Sequence, residues 1–149
     1  MIKFIKNYYI ANAKIMVINF PVMKKKKFKI EYPLSNASAA ILWNSIGTVH
    51  GLSEWFADDV SSEEDNYIFK WDDYEQKANL LHFKPNNYIR FQWEEDKGTE
   101  AYFEMKIVTS ELSNDVVLYV TDYAEKSEVE DAILLWNKQI ENLKRITGM

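Results

Sequence analysis

The sequence predicts an α+β fold, a curved antiparallel sheet of six strands wrapped around one long C-terminal helix, with two short helices after the first strand. Three observations carry this. Apolar residues alternate with a period of two almost without break from Tyr67 to Tyr123. A single apolar stripe at helical spacing closes the chain. Between the first alternating segment and the long alternating stretch lie two short runs at helical spacing.

The elements follow in order. Phe28, Ile30 and Tyr32 alternate with Lys27, Lys29 and Glu31, a half-buried strand that Pro33 ends. Ser35 or Asn36 can cap the next helix, in which Ala39, Leu42, Trp43 and Ile46 share one face and Gly47 is the stop. A second short helix follows Gly51, with Leu52, Trp55 and Phe56 on one side. Asp58 to Asp65 reads as an acidic, serine-containing loop. Tyr67, Phe69 and Trp71 form the second strand and Asp72-Asp73 the turn after it. Tyr74–Phe83 is a longer strand of weaker pattern, closed by Pro85-Asn86-Asn87. Ile89, Phe91 and Trp93 face one way, and Arg90, Gln92 and Glu94 the other. Glu95–Thr99 is a hairpin loop, after which Ala101, Phe103, Met105 and Ile107 continue the inner set. Ser113-Asn114 turns the chain into Val116–Tyr123, where Leu118 and Val120 face inward. Loops this short make these strands antiparallel neighbours in a meander. Ser127 and Glu130 form a capping box for the last helix, whose stripe is Val129, Ala132, Ile133, Trp136, Ile140 and Leu143, and Gly148 ends it. At about 20 residues it is about 30 Å long, enough to cross the sheet.

With 149 residues, 47% of them apolar and 15% aromatic, the chain has the makings of one compact domain. It has no cysteine, which excludes disulfides, thiolate metal sites and cysteine nucleophiles. The net charge of −5 hides an asymmetry. The first 30 residues carry eight lysines and no acid, whereas residues 31–149 carry a charge of −13. An acidic body repels phosphate backbones, so no nucleic-acid partner is expected. Lys24–Lys27 reads as a solvated chain start. Residues 1–22 are apolar and acid-free, but Lys14 breaks them into stretches too short for stable membrane insertion. Three readings remain open for them: an over-extended gene model with Met23 as the natural start, a targeting or membrane-skimming segment, and a genuine extra strand. The expected division is therefore an extension at 1–22 and a domain at 23–149, with a cytoplasmic location.

The acid clusters Asp58-Asp59, Glu63-Glu64-Asp65, Asp72-Asp73 and Glu94-Glu95-Asp96 lack the spaced ligands of a calcium loop and read as solvated turns. His50 sits between the short helices and His82 on a strand, too few for a histidine metal centre. No metal, cofactor or catalytic set is expected. Arg90 and Glu104 fall on adjacent strands, positioned to pair across the outer face.

Leu42-Trp43-Asn44-Ser45-Ile46 through Gly51-Leu52-Ser53-Glu54-Trp55-Phe56-Ala57-Asp58 resembles the helix, loop and Trp-Phe signature of the Aha1 C-terminal-domain branch of the START-like (SRPBCC) superfamily. Leu135-Trp136-Asn137 and Ile140-Glu141-Asn142-Leu143-Lys144 are similar to that branch's last helix. The resemblance runs from about Lys26 to Gly148 and is closest to the START-like proteins of Bacteroidetes. It implies the helix-grip fold, and its motifs are fold-specific, not catalytic.

In that superfamily the space between sheet and helix often holds apolar molecules. The lining implied here is Tyr67, Phe69, Trp71, Phe91, Trp93, Phe103, Met105, Leu118, Ile133, Trp136 and Ile140, with Tyr67, His50 or Asn137 as the polar end and a mouth near His50–Phe56. A real site needs about 300 Å³ or more. The same rings can instead simply fill the core. Three functions follow. The first is non-catalytic binding of a small apolar ligand. The second is an interaction or cochaperone-like module of the Aha1 type, using an exposed Trp55-Phe56 region. The third is a cyclase/dehydratase-type enzyme, for which no convergent acid–base groups are visible.

Overall fold

The computed structural model describes residues 24–149, so the expectations for 1–22 and for the boundary at Met23 lie outside the described residues. The strands are β1 (Lys25–Leu34), β2 (Asp59–Glu63), β3 (Asn66–Trp71), β4 (Tyr74–Lys84), β5 (Tyr88–Trp93), β6 (Phe103–Thr109) and β7 (Val116–Glu125). The helices are α1 (Ala39–Gly47), α2 (Val49–Trp55) and α3 (Val129–Thr147). All strands join one antiparallel sheet in the order β1-β7-β6-β5-β4-β3-β2. The α+β architecture, the two short helices after the first strand and the long final helix are as the sequence predicts.

The sheet has seven strands and not six. The stretch read as an acidic loop contains β2, an edge strand paired with β3 from Asp59↔Lys70 to Glu63↔Asn66. Its only apolar residue is Val60, which is buried. An edge strand with one inward apolar side chain has too little alternation to register as a strand. Asp58 is not idle at this turn either, since its Oδ2 accepts from the Asp72 backbone N–H at 2.7 Å. Asp72 has φ of 51°, a left-handed conformation that aspartate tolerates in turns.

β1 closes the far side by pairing with β7 from Lys25↔Glu125 to Leu34↔Val116. Lys25–Lys27 of the lysine run therefore open this strand; Lys24, Lys26 and Lys27 are exposed, as a solvated run should be, and Lys25 alone is drawn in. Lys25 Nζ lies 2.7 Å from Asp96 Oδ1, with both side chains largely buried. That contact also corrects the reading of Asp96 as a solvated turn residue. The weak pattern of β4 has a cause too, a bulge between Leu80 and His82 that shifts its register against β5.

Helix ends differ in detail from the expected caps. Ser38, and not Ser35 or Asn36, caps α1 by accepting from the Ile41 N–H. α2 begins at Val49, capped by Thr48 Oγ1, so Gly51 lies inside it. A Cβ on Gly51 would stand 2.0 Å from the Asn44 carbonyl oxygen, which is why glycine occupies this helical position. α3 is preceded by a 3-10 turn, Lys126–Glu128, and its N-cap Glu128 makes no side-chain cap bond. Ser127 is wound into that turn, so the Ser127–Glu130 capping box does not form. Glu130 and Asp131 in the first turn and Lys144 and Arg145 in the last match the helix dipole.

The core lies between the inner sheet face and the helices. Ala132, Trp136, Ile140 and Leu143 of α3 are buried, as are Leu42 and Ile46 of α1. On the outer face Arg90 and Glu104 are direct cross-strand partners, with Nη2 and Nε both 2.7 Å from Glu104 Oε2. No helix among the described residues is long and apolar enough to cross a membrane.

Candidate functional site

Alternation along β3, β5 and β6 places Tyr67, Phe69, Phe91, Trp93 and Phe103 on one inward face, all buried. Their rings touch. Centroids are 4.9 Å apart for Tyr67–Phe91, 5.7 Å for Phe69–Phe91, 5.2 Å for Phe91–Phe103 and 4.8 Å for Trp93–Phe103. Met105 is fully buried beside them, and Trp71 is half-buried at the end of β3. The structure thus brings together seven of the ten residues expected to bind a ligand, and Trp136 of α3 joins them at 6.4 Å from Phe103.

Phe56 fills the space between sheet and helix. Its ring centroid is 5.3 Å from Phe69, 6.0 Å from Trp71, 5.8 Å from Phe103 and 5.8 Å from Trp136. Three hydrogen bonds hold it and its neighbour in place. Trp71 Nε1 and Gln139 Nε2 both donate to the Phe56 carbonyl at 3.0 Å, and Asn142 Nδ2 donates to the Trp55 carbonyl at 3.2 Å. Those carbonyls end α2, where the helix itself provides no donor. Trp55 Nε1 donates to the Ser45 carbonyl at 2.9 Å. Trp55 and Phe56 are 2% and 1% exposed, so the expected exposed Trp55-Phe56 contact surface is not present. The physical reason is that two large rings on one short helix bury more apolar area by closing the grip than by facing water.

His50 and Asn137 stand apart from the rings. His50 is exposed, with Nε2 3.1 Å from Glu54 Oε1 one helical turn on. Asn137 is also exposed, and its Oδ1 accepts from the Tyr32 hydroxyl at 2.7 Å. Tyr67 remains at the edge of the aromatic wall, where burial, with the nearby Asp65 carboxylate, raises its hydroxyl pKa.

Two polar residues on the inner face were missing from the sequence reading. Asp122 is buried, its Oδ2 accepting from Trp136 Nε1 at 2.8 Å and its Oδ1 from the Tyr123 N–H at 2.7 Å. Burial pushes its carboxyl pKa up, and these two donors oppose the shift. The signal was available, because Asp122 continues the inward parity of Leu118 and Val120. Gln76 is buried on β4 and pairs in register with Phe69. The weak pattern of β4 hid its parity.

Among the described residues two surface concavities lie against the sheet, and α3 lines neither. One of about 220 Å³ is walled by Glu75, Gln76, Lys77, Glu94 and Glu95. The other, of about 460 Å³, lies along β2, β3 and β4, with Tyr67 the one ring of the aromatic set in its wall. Among the described residues no group of three or more His, Asp or Glu is placed to hold a metal ion.

A family model described as START-like superfamily domain matches residues 22–149. No curated protein matches the chain. Among solved structures, BfR322 from Bacteroides fragilis is 38% identical, with a TM-score of 0.62, over 85% of this chain and 94% of that one. The Aha1 dimer from Colwellia psychrerythraea matches with 16% identity and a TM-score of 0.66, covering 80% of this chain and 93% of the other. CalU16 from Micromonospora echinospora matches with 13% identity and a TM-score of 0.64, covering 87% and 79%. At these lower identities the likeness is one of fold.

Proposed function

Because the chain belongs to the START-like superfamily, we propose that it is a non-catalytic binding module for a small apolar molecule, lipid-like or aromatic, held between the inner sheet face and α3. The observation that supports this is the continuity of the aromatic wall across β3, β5 and β6, with the Phe56 ring standing between it and Trp136. Phe56 follows the seven-residue α2, and admitting a ligand to the wall requires α2 to move and the bonds at the Phe56 and Trp55 carbonyls to break. Titratable side chains do not converge there. His50 faces solvent, and both oxygens of Asp122 are engaged. That distribution favours binding over acid–base catalysis.

The test is titration with fatty acids, sterols and flavonoids while tryptophan fluorescence is followed, with Phe91→Trp as the blocked control. Saturable quenching that disappears in the variant supports the binding module. The absence of any saturable change with every class defeats it.

A second reading, a protein-interaction module with a filled core, draws on the ring-to-ring packing and on Leu81 and Phe83 of β4, which are 46% and 50% exposed. The Colwellia Aha1 neighbour is a dimer. Light scattering across a concentration series, with Phe83→Ser as the comparison, tests whether these side chains are a contact.

A further inference from the structure

The helices pack on the inner face of the sheet, so the outer face of β1, β7, β6, β5 and β4 carries no helix among the described residues. Strand register lays two rows of side chains across it. The first runs His82–Arg90–Glu104–Thr121–Lys29, and the second, two residues along, Lys84–Tyr88–Lys106–Tyr119–Glu31. Lys27, opposite Tyr123, extends the same face. Neighbouring strands are about 4.8 Å apart, so each row is about 19 Å long.

This face has a charge of its own. It carries Lys27, Lys29, Lys84, Arg90 and Lys106 against two acids, Glu31 and Glu104, and Glu104 is already matched with Arg90. The four lysines are exposed, and none of them is in an ion pair among the described residues. A chain of net charge −5 thus gathers positive charge on one side. Screening over about 8–10 Å limits how far the acids elsewhere cancel it.

Charge complementarity calls for an anionic partner, and two further observations say which kind. The rings on this face are already in use. Lys29 Nζ lies 4.3 Å from the Tyr119 centroid, and the Arg90 guanidinium and Lys27 Nζ lie 4.0 Å and 5.6 Å from that of Tyr102. Tyr88 stacks on His82 with centroids 5.5 Å apart. Nucleic-acid bases bind such platforms by stacking on rings, and here they would have to displace these partners. Beside the second row, on the same face, runs an apolar one, Pro33–Val117–Val108, in which Val108 is 39% exposed. Lysines next to half-buried tyrosines and an apolar border suit a bilayer surface, where headgroup charge lies above acyl carbon. The turn beyond the apolar row carries Glu111 and Asp115, both exposed, which centres the contact on the rows and not on the hairpin tip.

We propose that the outer face of β1, β7, β6, β5 and β4 docks the protein on a membrane surface rich in anionic lipid, at headgroup level and without spanning the bilayer. This goes beyond the apolar-ligand reading and does not depend on it, since it concerns the opposite side of the sheet.

The full chain is mixed with vesicles of phosphatidylcholine alone, or of phosphatidylcholine and phosphatidylserine in equal parts, and binding is read by co-sedimentation. It is expected to bind the anionic vesicles, not the neutral ones, and to bind less as salt rises. Lys84→Glu with Lys106→Glu should lower the partition at least about tenfold. Lys97→Glu with Lys138→Glu changes the total charge equally from exposed positions outside the rows, and should lower it less than about threefold. Residues 1–22 are identical in both variants, so the contrast between them reads the face alone. A readout that needs no variant is NMR of wild type with nanodiscs of the anionic mixture, in which the Lys106 and Tyr119 amides should broaden more than those of α3. Equal binding to neutral vesicles, no binding to anionic ones, equal loss in the two variants, or broadening centred on α3 would overturn the proposal. Saturable binding of a single-stranded oligonucleotide without vesicle binding, lost in Lys84→Glu with Lys106→Glu, would overturn it in favour of a nucleic-acid partner.

Discussion

The indole Nε1 of Trp136 donates to Oδ2 of Asp122 at 2.8 Å, joining the middle of the long helix to an interior carboxylate of β7 with both partners buried. Packing alone would let a helix slide over an apolar sheet, whereas one directional bond between buried groups favours a single register. Trp136→Ala removes both the ring and the donor and should cost about 3–5 kcal/mol, read from urea unfolding. Trp136→Phe keeps most of the ring and should cost about 1–3 kcal/mol, because it leaves the Asp122 oxygen without its donor. If the two variants are equally stable, the hydrogen bond is not what matters at this contact.

The same carboxylate predicts a pH dependence. Burial raises the Asp122 pKa above the ordinary 3.8, so the folded protein holds this proton more tightly than the unfolded chain. Its contribution to stability is then fully present below the unfolded value and is lost as pH rises through the folded one. Unfolding free energies of wild type minus Asp122→Asn should fall as pH rises above the ordinary carboxylate value of 3.8. In the Trp136→Phe background the fall should extend to higher pH, since a donor that opposes the shift has gone. A difference that is flat or rises with pH contradicts the assignment.

Phe56 makes a separate prediction as the ring that fills the grip. Phe56→Ala should destabilise the fold by about 3–5 kcal/mol. The cavity it leaves is walled by Phe69, Phe103 and Trp136, and apolar cavities of this kind stay dry and accept benzene. Added benzene should therefore raise the midpoint of the variant more than that of wild type. Equal response in both would show that the wild-type grip already has room.

Alanine at Gly51 and at Gly98 should destabilise to different extents and for different reasons. At Gly51 a Cβ meets the Asn44 carbonyl oxygen at 2.0 Å, a backbone atom that cannot swing aside, so Gly51→Ala should cost about 3 kcal/mol or more. Gly98 has open space around it but a φ of +84°, so Gly98→Ala should cost about 1 kcal/mol through backbone strain alone. Gly98→Asn should recover part of that loss, while Gly51→Asn should not fold better than Gly51→Ala. Thermal melts of the four variants decide it.

Local pattern was enough to read β1, the two short helices, β3 to β7, the long helix, the buried aromatic wall and the Arg90–Glu104 pair, because each follows from a repeat along a few neighbouring residues. The family resemblance was legible for the same reason, since its signature lies in contiguous side chains. What needed the folded chain was every feature set by a neighbour distant in sequence. β2 exists because β3 offers it a ladder. Lys25 is half-buried because the turn containing Asp96 comes to lie beside it. Trp55 and Phe56 share one side of a short helix with Leu52, which left open whether that side faces core or partner; Gln139 and Asn142, more than 80 residues later, bind the carbonyls that fix them inward. Asp122 and Gln76 sat at inward positions by parity, but only the tertiary arrangement gave Asp122 its two donors and left the Gln76 oxygen with none. Periodicity reports which face a side chain takes. Whether a polar group on that face finds a partner depends on packing between elements, and one-dimensional spacing does not carry that information.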